Sequence, residues 1–289
     1  MYIFKKVADL QEYLALERQK GLKIGFVPTM GALHEGHISL IEASNESSDI
    51  TVCSIFVNPT QFDNTEDLQK YTRNLPKDAE MLGMAQTDIL FAPSVQEIYP
   101  PNLVTEIHLE FGQLTKVLEG KFRTGHFEGM VQVVSRLLDI VEPDSIYMGQ
   151  KDFQQAAIVK SMLQQQRRTV SLVTCPIIRE DHGLAMSSRN TRLADTDRQN
   201  AKAIYEALLE AKSQLGKESI ADIKRKALVE LEAAGFRSEY FEIVDGDSLA
   251  SLTNESDVPF IVACVAAYMG EVRLIDNMIL KGSLTLVKS

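Results

Sequence analysis

Two histidines, His34 and His37, bracket a glycine in the segment Pro28-Thr29-Met30-Gly31-Ala32-Leu33-His34-Glu35-Gly36-His37, where the apolar run Lys23 to Val27 gives way to an amphipathic stretch. A strand that ends in Pro and Gly before a polar helix start leaves backbone N–H groups pointing at one spot, where the helix dipole also favours an anion. Histidines three apart share a helical face and add donors there. The chemistry this suits is phosphate handling. The plain alternative for a histidine at a helix start is a cap or a satisfied surface group. Zinc suits the segment less, because the spacing is i, i+3 rather than the i, i+4 of a metalloprotease helix and no Cys lies nearby.

Two other loops carry charge and hydroxyls. In Gly149-Gln150-Lys151-Asp152, glycine permits close backbone approach and Lys151 supplies a compact charge suited to phosphate. Read alone it is an ordinary strand-to-helix turn with an acidic residue near the helix start. Met186-Ser187-Ser188-Arg189-Asn190 offers two hydroxyls and a guanidinium. Read alone it is a solvated loop that caps the next helix.

The elements that must position these loops follow from periodicity. Apolar runs at Lys23 to Val27, Ile50 to Val57, Asp88 to Ala92, Val104 to Leu109, Ser145 to Met148 and Val170 to Thr174 read as strands. Helical patterns lie between most of them, at Val7 to Gln19, His37 to Glu46 and Gly125 to Val141. Alternation of this kind implies an α/β fold, a Rossmann-like parallel sheet with helices on both faces. Ligands of such sheets sit beyond the carboxyl ends of the strands. The His34 turn, Asn58-Pro59-Thr60-Gln61 and the Lys151 loop all follow such ends, so three loops converge on one rim.

After Cys175-Pro176 a polar loop, Arg179 to Thr191, leads to helical segments at about Asp195 to Leu215 and Ser219 to Ala234, then to short strands at Tyr240 to Val244, Phe260 to Ala266 and Val272 to Ile275. This reads as a smaller C-terminal α+β domain, residues 178–289, following a larger domain of residues 1–177 with the boundary near Ile177. The acidic stretch Glu242 to Asp247 reads as a solvated strand end and turn rather than a metal site.

Composition narrows the function. Forty acidic against thirty basic side chains give a net charge of −10 over 289 residues. That balance argues against nucleic-acid binding, so a bound phosphate must meet a local basic cluster. Cys53, Cys175 and Cys264 are far apart, each in an apolar run, which fits buried free thiols in a reducing compartment. The N-terminus, Met-Tyr-Ile-Phe-Lys-Lys, lacks a basic-then-apolar signal, and no apolar stretch reaches the roughly eighteen residues of a membrane span. A soluble cytoplasmic protein is the expectation.

Together these segments resemble a known family. The histidine turn resembles the His-x-Gly-His signature of the nucleotidyltransferase superfamily, and Met186 to Asn190 occupies the place of its second, mobile signature. More narrowly, the chain is similar to the pantoate–β-alanine ligases. Val27 to His37, Phe56-Val57-Asn58-Pro59-Thr60-Gln61-Phe62, Phe91-Ala92-Pro93-Ser94, Gly125-His126-Phe127, Lys151-Asp152-Phe153-Gln154-Gln155, Ser187-Ser188-Arg189-Asn190 and Arg273-Leu274-Ile275-Asp276-Asn277 follow the family pattern in order. One departure is Gln150, where the family usually carries Glu before Lys-Asp.

The resemblance implies a two-step reaction with ATP and Mg²⁺. Pantoate's carboxylate attacks the α-phosphorus to give an acyl adenylate and pyrophosphate, and the β-alanine amine then displaces AMP. By motif, His34 and His37 would donate to the α and β phosphates, Lys151 would sit on the transferring phosphoryl group, and Ser187, Ser188 and Arg189 would close over pyrophosphate. Met30, Gly31, Ala32 and Leu33, with Glu35 and Gly36 of the same signature, would add main-chain contacts. Gly149, Asp152 and the backbone around Ile178 and Met186 would hold ribose and adenine, with Gln150 keeping its main-chain part. Gln61 and Gln155 resemble the family's pantoate ligands, Gln61 also meeting β-alanine. The motifs assign no protein ligand to Mg²⁺. The proton acceptor for the amine stays open among His37, His34, a phosphate oxygen of the adenylate and water. Because Ser187 to Arg189 sit between the domains, ATP is expected to draw the smaller domain over the larger, and a homodimer is a further expectation of the resemblance.

Three rival readings share parts of the pattern. A nucleotidyltransferase acting on a phosphorylated substrate would want Arg or Lys where Gln61 and Gln155 stand. An aminoacyl-tRNA synthetase fragment would want a basic face. A nucleotide-sensing protein without turnover would not need the His, Lys and Arg positions intact.

Overall fold

The fold is a computed structural model, which describes residues 1–62, 65–103, 107–255 and 257–284. Two sheets organise them. The larger is parallel, in the order β1-β4-β3-β2-β5-β6, with β1 at Tyr2–Phe4, β2 at Ile24–Thr29, β3 at Ile50–Ile55, β4 at Ile89–Phe91, β5 at Ser145–Gly149 and β6 at Ser171–Cys175. Its strands are apolar on both faces, and successive residues go to different cores. Phe26, Val52, Phe91 and Ile146 join one cluster with Leu10, Leu14, Met130 and Ile158. Their neighbours Val27, Cys53, Leu90 and Tyr147 join another with Leu40, Ile41 and Leu82. Helices 7–19, 126–141 and 153–165 thus cover one face, and helices 35–47 and 75–84 the other. Two covered faces are why these strands read as unbroken apolar runs.

The smaller sheet is antiparallel, with β7 at Arg237–Asp245, β8 at Ile261–Met269 and β9 at Val272–Lys281, in that order. Helices Ala203–Gln214 and Ile220–Ala233 pack on one face through Ile204, Leu208, Ile223 and Leu231. Its other face meets Leu118 and Phe153 of the larger unit through Val244, Val262 and Ile279. Strand β8 is therefore buried on both sides, which accounts for its unbroken run Ile261 to Ala267.

Several sequence expectations shift in detail. The three-residue strand β1, an edge partner of β4, carries too short a pattern to be read. Of the strand expected at Val104 to Leu109, residues 104–106 lie outside those described, and Ile107 to Leu109 run as irregular chain. The helix expected over Asp195 to Leu215 breaks into Asp195–Asn200 and Ala203–Gln214. Its first piece buries no residue, so no packing holds it in line with the second. Strand β9 continues six residues past Ile275, because Asp276 and Asn277, polar in sequence, are buried and partnered. All three cysteines are free and buried. Among the described residues no helix is long and apolar enough to cross a membrane.

Candidate active site

The chain leaves β2 for β3 and β4 on one side of the sheet and returns to β5 and β6 on the other, so the crevice beyond β2 and β5 is the switch point where ligands of such sheets bind. Pairing of β2 with β5 covers only Gly25 and Phe26, two residues short of Pro28, which has no N–H to give. Into this opening project the histidine turn after β2, the Gly149 to Asp152 loop after β5, and Pro176 to Ile178 after β6. The 186–189 segment closes it from outside. One cleft is lined by Met30, His34, Gly36, His37, Gly149, Lys151, Asp152, Gln155, Ile178, Met186, Ser187, Ser188 and Arg189.

The histidine turn departs from the expected set of unpaired amides. The N–H of Gly31 donates to Thr29 Oγ1 at 3.2 Å, and those of Ala32 and Leu33 donate to the two carboxylate oxygens of Asp78 at 3.0 and 2.8 Å. Gly31 at φ +78° and Ala32 at φ +53° hold a left-handed backbone, strained for alanine, and Asp78 fixes it. Asp78, 2% exposed in the first turn of helix 75–84, acts as a clasp from the next unit of the fold. Gly31, Ala32 and Leu33 therefore shape the turn with amides that are already engaged, and Glu35 points to solvent.

Cap and site prove to be one geometry. His34 Nδ1 accepts the N–H of Gly36 at 3.1 Å, and His37 Nδ1 accepts the N–H of His34 at 3.4 Å. Each imidazole thereby keeps a lone pair on Nδ1 and its proton on Nε2. Burial, then the charge of Lys151, lowers the pKa of His34 to about 4. Burial, then His34 and Lys151, lowers that of His37 to about 3. Two neutral N–H donors line the cleft, and positive charge comes from Lys151 and Arg189. Lys151 Nζ sits 3.9 Å from Asp152 Oδ1.

The outer segment is built as a tight return. Arg179 pairs with Ala185 in an antiparallel bridge, and Met186 N donates to Ile178 O at 3.0 Å. Ser187 Oγ accepts the N–H of Arg189 at 3.3 Å and starts the turn Ser188–Arg192. Beside it stands Tyr71, whose hydroxyl pKa burial raises while a hydrogen bond to Ser188 tempers the effect.

Gln61 is buried, 8% exposed, in the turn after β3. Its Oε1 accepts from Asn58 Nδ2 at 3.2 Å, whereas among the described residues its Nε2 meets the weak acceptor Met30 Sδ at 3.2 Å. The amide donor is thus held at the edge of the cleft that Met30 lines. Gly129 lets helix 126–141 approach this turn, since a Cβ there would stand 2.2 Å from the Thr60 carbonyl oxygen. From the same helix His126 Nδ1 meets the Gln61 carbonyl at 2.8 Å.

The cleft therefore gathers both histidines, Lys151, Asp152, Gln155 and the 186–189 segment, with Gln61 alongside Met30. Gly31, Ala32, Leu33, Glu35, Gln61 and Gln150 are not among its lining residues. Tyr71 and Tyr147 also line the cleft, and neither they nor Asp78 carry a sequence signal of a site. A first-turn acid and two aromatics look ordinary in one sequence, and nothing local marks them. Among the described residues no group of three or more His, Cys, Asp and Glu side chains could hold a metal ion.

Along nearly its whole length the chain is similar to known proteins. The sequence model of the family described as Pantoate-beta-alanine ligase matches residues 2–279. A protein named pantothenate synthetase from Bacteroides thetaiotaomicron is 44% identical over 279 residues, 96% of this chain and 98% of that one. One of the same name from Porphyromonas gingivalis is 46% identical over 280 residues, 96% and 99% of the two chains. The crystal structure of pantothenate synthetase from Thermus thermophilus superposes with a TM-score of 0.91 at 39% identity, covering 97% of this chain and 100% of that one. The pantoate-beta-alanine ligase of Francisella tularensis, crystallised with beta-gamma ATP and beta-alanine, gives a TM-score of 0.79 at 36% identity, covering 97% and 98%. The chain belongs to the pantoate–β-alanine ligase family.

Proposed function

We propose that the cleft binds ATP with its triphosphate over His34, His37, Lys151 and the Ser187–Arg189 segment, and that Gln61 and Gln155 hold pantoate beside the α-phosphorus. The reaction is the ATP-dependent condensation of pantoate with β-alanine to pantothenate, AMP and pyrophosphate. The convergence of two imidazoles, an ammonium and a guanidinium from separate segments on one cleft carries this reading.

In the first step a pantoate carboxylate oxygen bonds to the α-phosphorus and the bond to the pyrophosphate oxygen breaks. A carboxylate with a pKa near 4 is already ionised, so no base is needed and the protein's task is positioning and charge stabilisation. Neutral Nε2–H donors of His34 and His37 stabilise the developing charge without adding a titratable cation, while Lys151 and Arg189 offset the net charge. Gly149, Asp152, Ile178 and Met186 hold ribose and adenine. Gly31, Ala32, Leu33, Glu35, Gly36 and Gln150 act through the shape of their loops.

In the second step the amine nitrogen of β-alanine bonds to the acyl carbon, AMP leaves, and the amine loses a proton. Imidazoles with pKa values of about 3 and 4 are poor acceptors from an ammonium. A phosphodiester oxygen or water is a weaker base still, so basicity does not choose among His37, His34, the adenylate phosphate and water as the acceptor.

The donor set fits Mg²⁺ carried on the nucleotide and water rather than by dedicated protein ligands, since Asp152, the carboxylate of the lining, is assigned to the nucleoside. Mg²⁺ bound there would supply charge neutralisation to the phosphates. We further propose that residues 1–177 and 178–289 are two domains, the second a lid over the mixed anhydride, and that two chains associate as a homodimer, to be checked by light scattering. Three buried free thiols fit a reducing, cytoplasmic setting.

The test is an assay of pyrophosphate release with ATP and pantoate, and of AMP formation with and without β-alanine. Expected are pyrophosphate release that needs pantoate but not β-alanine, and multiple turnovers of AMP only with both. Pyrophosphate release indifferent to pantoate would overturn the substrate assignment.

A further inference from the structure

The motif Arg273 to Asn277 has no part in the chemistry above, yet its residues are among the best anchored in the chain. Strand residues alternate between faces. On β9, Leu274 joins the core of the smaller sheet and its helices. The odd-numbered residues turn instead to the larger unit, where Arg273 pairs with both carboxylate oxygens of Glu119 at 2.7 and 2.8 Å. Asn277, 2% exposed, is the third odd position, and it reaches the loop that bears Lys151.

Its contacts use the whole amide. Asn277 Nδ2 donates to the main-chain carbonyls of Gln150 at 2.9 Å and of Lys151 at 3.0 Å. Asn277 Oδ1 accepts from Gln150 Nε2 at 3.1 Å. Both Nδ2 protons and the carbonyl oxygen are engaged, and only this orientation of the amide places donors against two carbonyls. Asp276, next along the strand, binds Arg179 at 2.5 and 3.0 Å, at the stem of the segment that carries Ser187 to Arg189. Adjacent residues of one strand therefore hold the bases of the loops that bring Lys151 and Arg189 to the cleft.

We propose that Asn277, paired with Gln150, is a positioning residue for adenylation: it fixes the backbone at residues 150 and 151 and so sets where the Lys151 ammonium meets the transferring phosphoryl group. The proposal rests on the assignment of Lys151 to that group. It gives Gln150 a purpose that Glu could not serve in this arrangement, because a carboxylate has no N–H to give to Asn277 Oδ1.

The experiment is single-turnover adenylate formation, followed by pyrophosphate release with ATP and pantoate, in Asn277→Ala, Gln150→Ala, Lys151→Ala and the two doubles that combine each of the first two with Lys151→Ala. Misplacement of a catalytic group by about 1 Å lowers a rate by up to about 100-fold. Asn277→Ala is expected to slow adenylation about 10- to 100-fold with the KM for pantoate little changed, and Gln150→Ala less so. In the Lys151→Ala background neither change is expected to slow the reaction further, because both act through the group already removed. Equal losses in both backgrounds, or a wild-type rate in Asn277→Ala, would overturn the positioning role. A wild-type rate in Lys151→Ala would instead overturn the site assignment on which it stands. Should Asn277→Ala fail to fold, Gln150→Ala, altered at a half-buried position, decides by the same comparison.

Discussion

His37 caps His34: the second imidazole accepts the main-chain N–H of the first, and their rings stand 4.1 Å apart at 45°. The contact explains how two histidines can be crowded beside Lys151 without repulsion, since both are neutral with Nδ1 occupied. It also ties catalysis to local stability. His37→Ala is expected to lose about 1 kcal/mol of cap stability, read by urea denaturation, and to slow adenylation roughly 100-fold. His37→Asn, which keeps a capping oxygen, should restore stability more than rate. Recovery of both to the same degree would mean that His37 acts only as a cap.

The depressed histidine pKa values give the fold a pH dependence of defined sign. In the unfolded chain these groups titrate near 6.5, whereas folded His34 and His37 stay neutral down to about 4 and about 3. As pH falls below 6.5 the unfolded state takes up protons that the folded state does not, so stability drops. From pH 7 to 5 the loss is on the order of 1–2 kcal/mol per histidine. The urea midpoint of the wild type should fall over that interval, and that of the double variant His34→Asn, His37→Asn should fall less. Parallel curves for the two proteins would contradict the assigned neutrality.

Asp78 holds a left-handed turn by two hydrogen bonds to main-chain N–H groups. Asp78→Ala removes a buried acceptor from both amides and is expected to destabilise by about 2–4 kcal/mol. Because the freed turn carries His34, adenylation should slow as well, and Asp78→Asn, with one acceptor left, should fall between. Calorimetry and the pyrophosphate assay check the two effects separately.

Lys151 is a point charge on a flexible stem, half-buried beside two neutral imidazoles. Lys151→Ala should reduce adenylation by about two to three orders of magnitude, with the thermal midpoint nearly unchanged. Lys151→Arg should recover little, because a planar fork does not replace a compact ammonium. Stopped-flow pyrophosphate release compares the three.

Glu119 and Arg273 join the two units. Burial works to raise the Glu119 pKa, but the hydrogen bonds and charge of Arg273 hold it below the usual carboxylate range. Tyr240 also donates to Glu119 Oε1 at 2.7 Å, and Glu239 shares the guanidinium. Arg273→Ala strands a buried carboxylate and should lower stability by about 3–5 kcal/mol in chemical denaturation, while Glu119→Gln should lower it less. A change under about 1 kcal/mol for Arg273→Ala would show the seam to be exposed in solution.

Much of the larger sheet is legible in the sequence, because its strands alternate with helices in apolar runs and each run ends at a polar loop. The histidine turn, the Lys151 loop and the 187–189 segment are found the same way. The main-chain role of the turn is not, since the amides of Ala32 and Leu33 are taken by Asp78, 46 and 45 residues further along the chain. Only folding brings that carboxylate to the turn.

The chain by itself determined the kind of sheet, the loops that bear charge and the family, because these depend on residue types in order and on periods of two and of about 3.6. Tertiary structure alone decided which atoms are free to act. It put the histidine protons on Nε2, engaged the turn amides with Asp78, buried Asp276 and Asn277 inside a strand whose apolar pattern stops before them, and set that strand against the Lys151 loop. The physical reason is that hydrogen-bond partners and desolvation are fixed by groups far apart in sequence, and no local pattern records them.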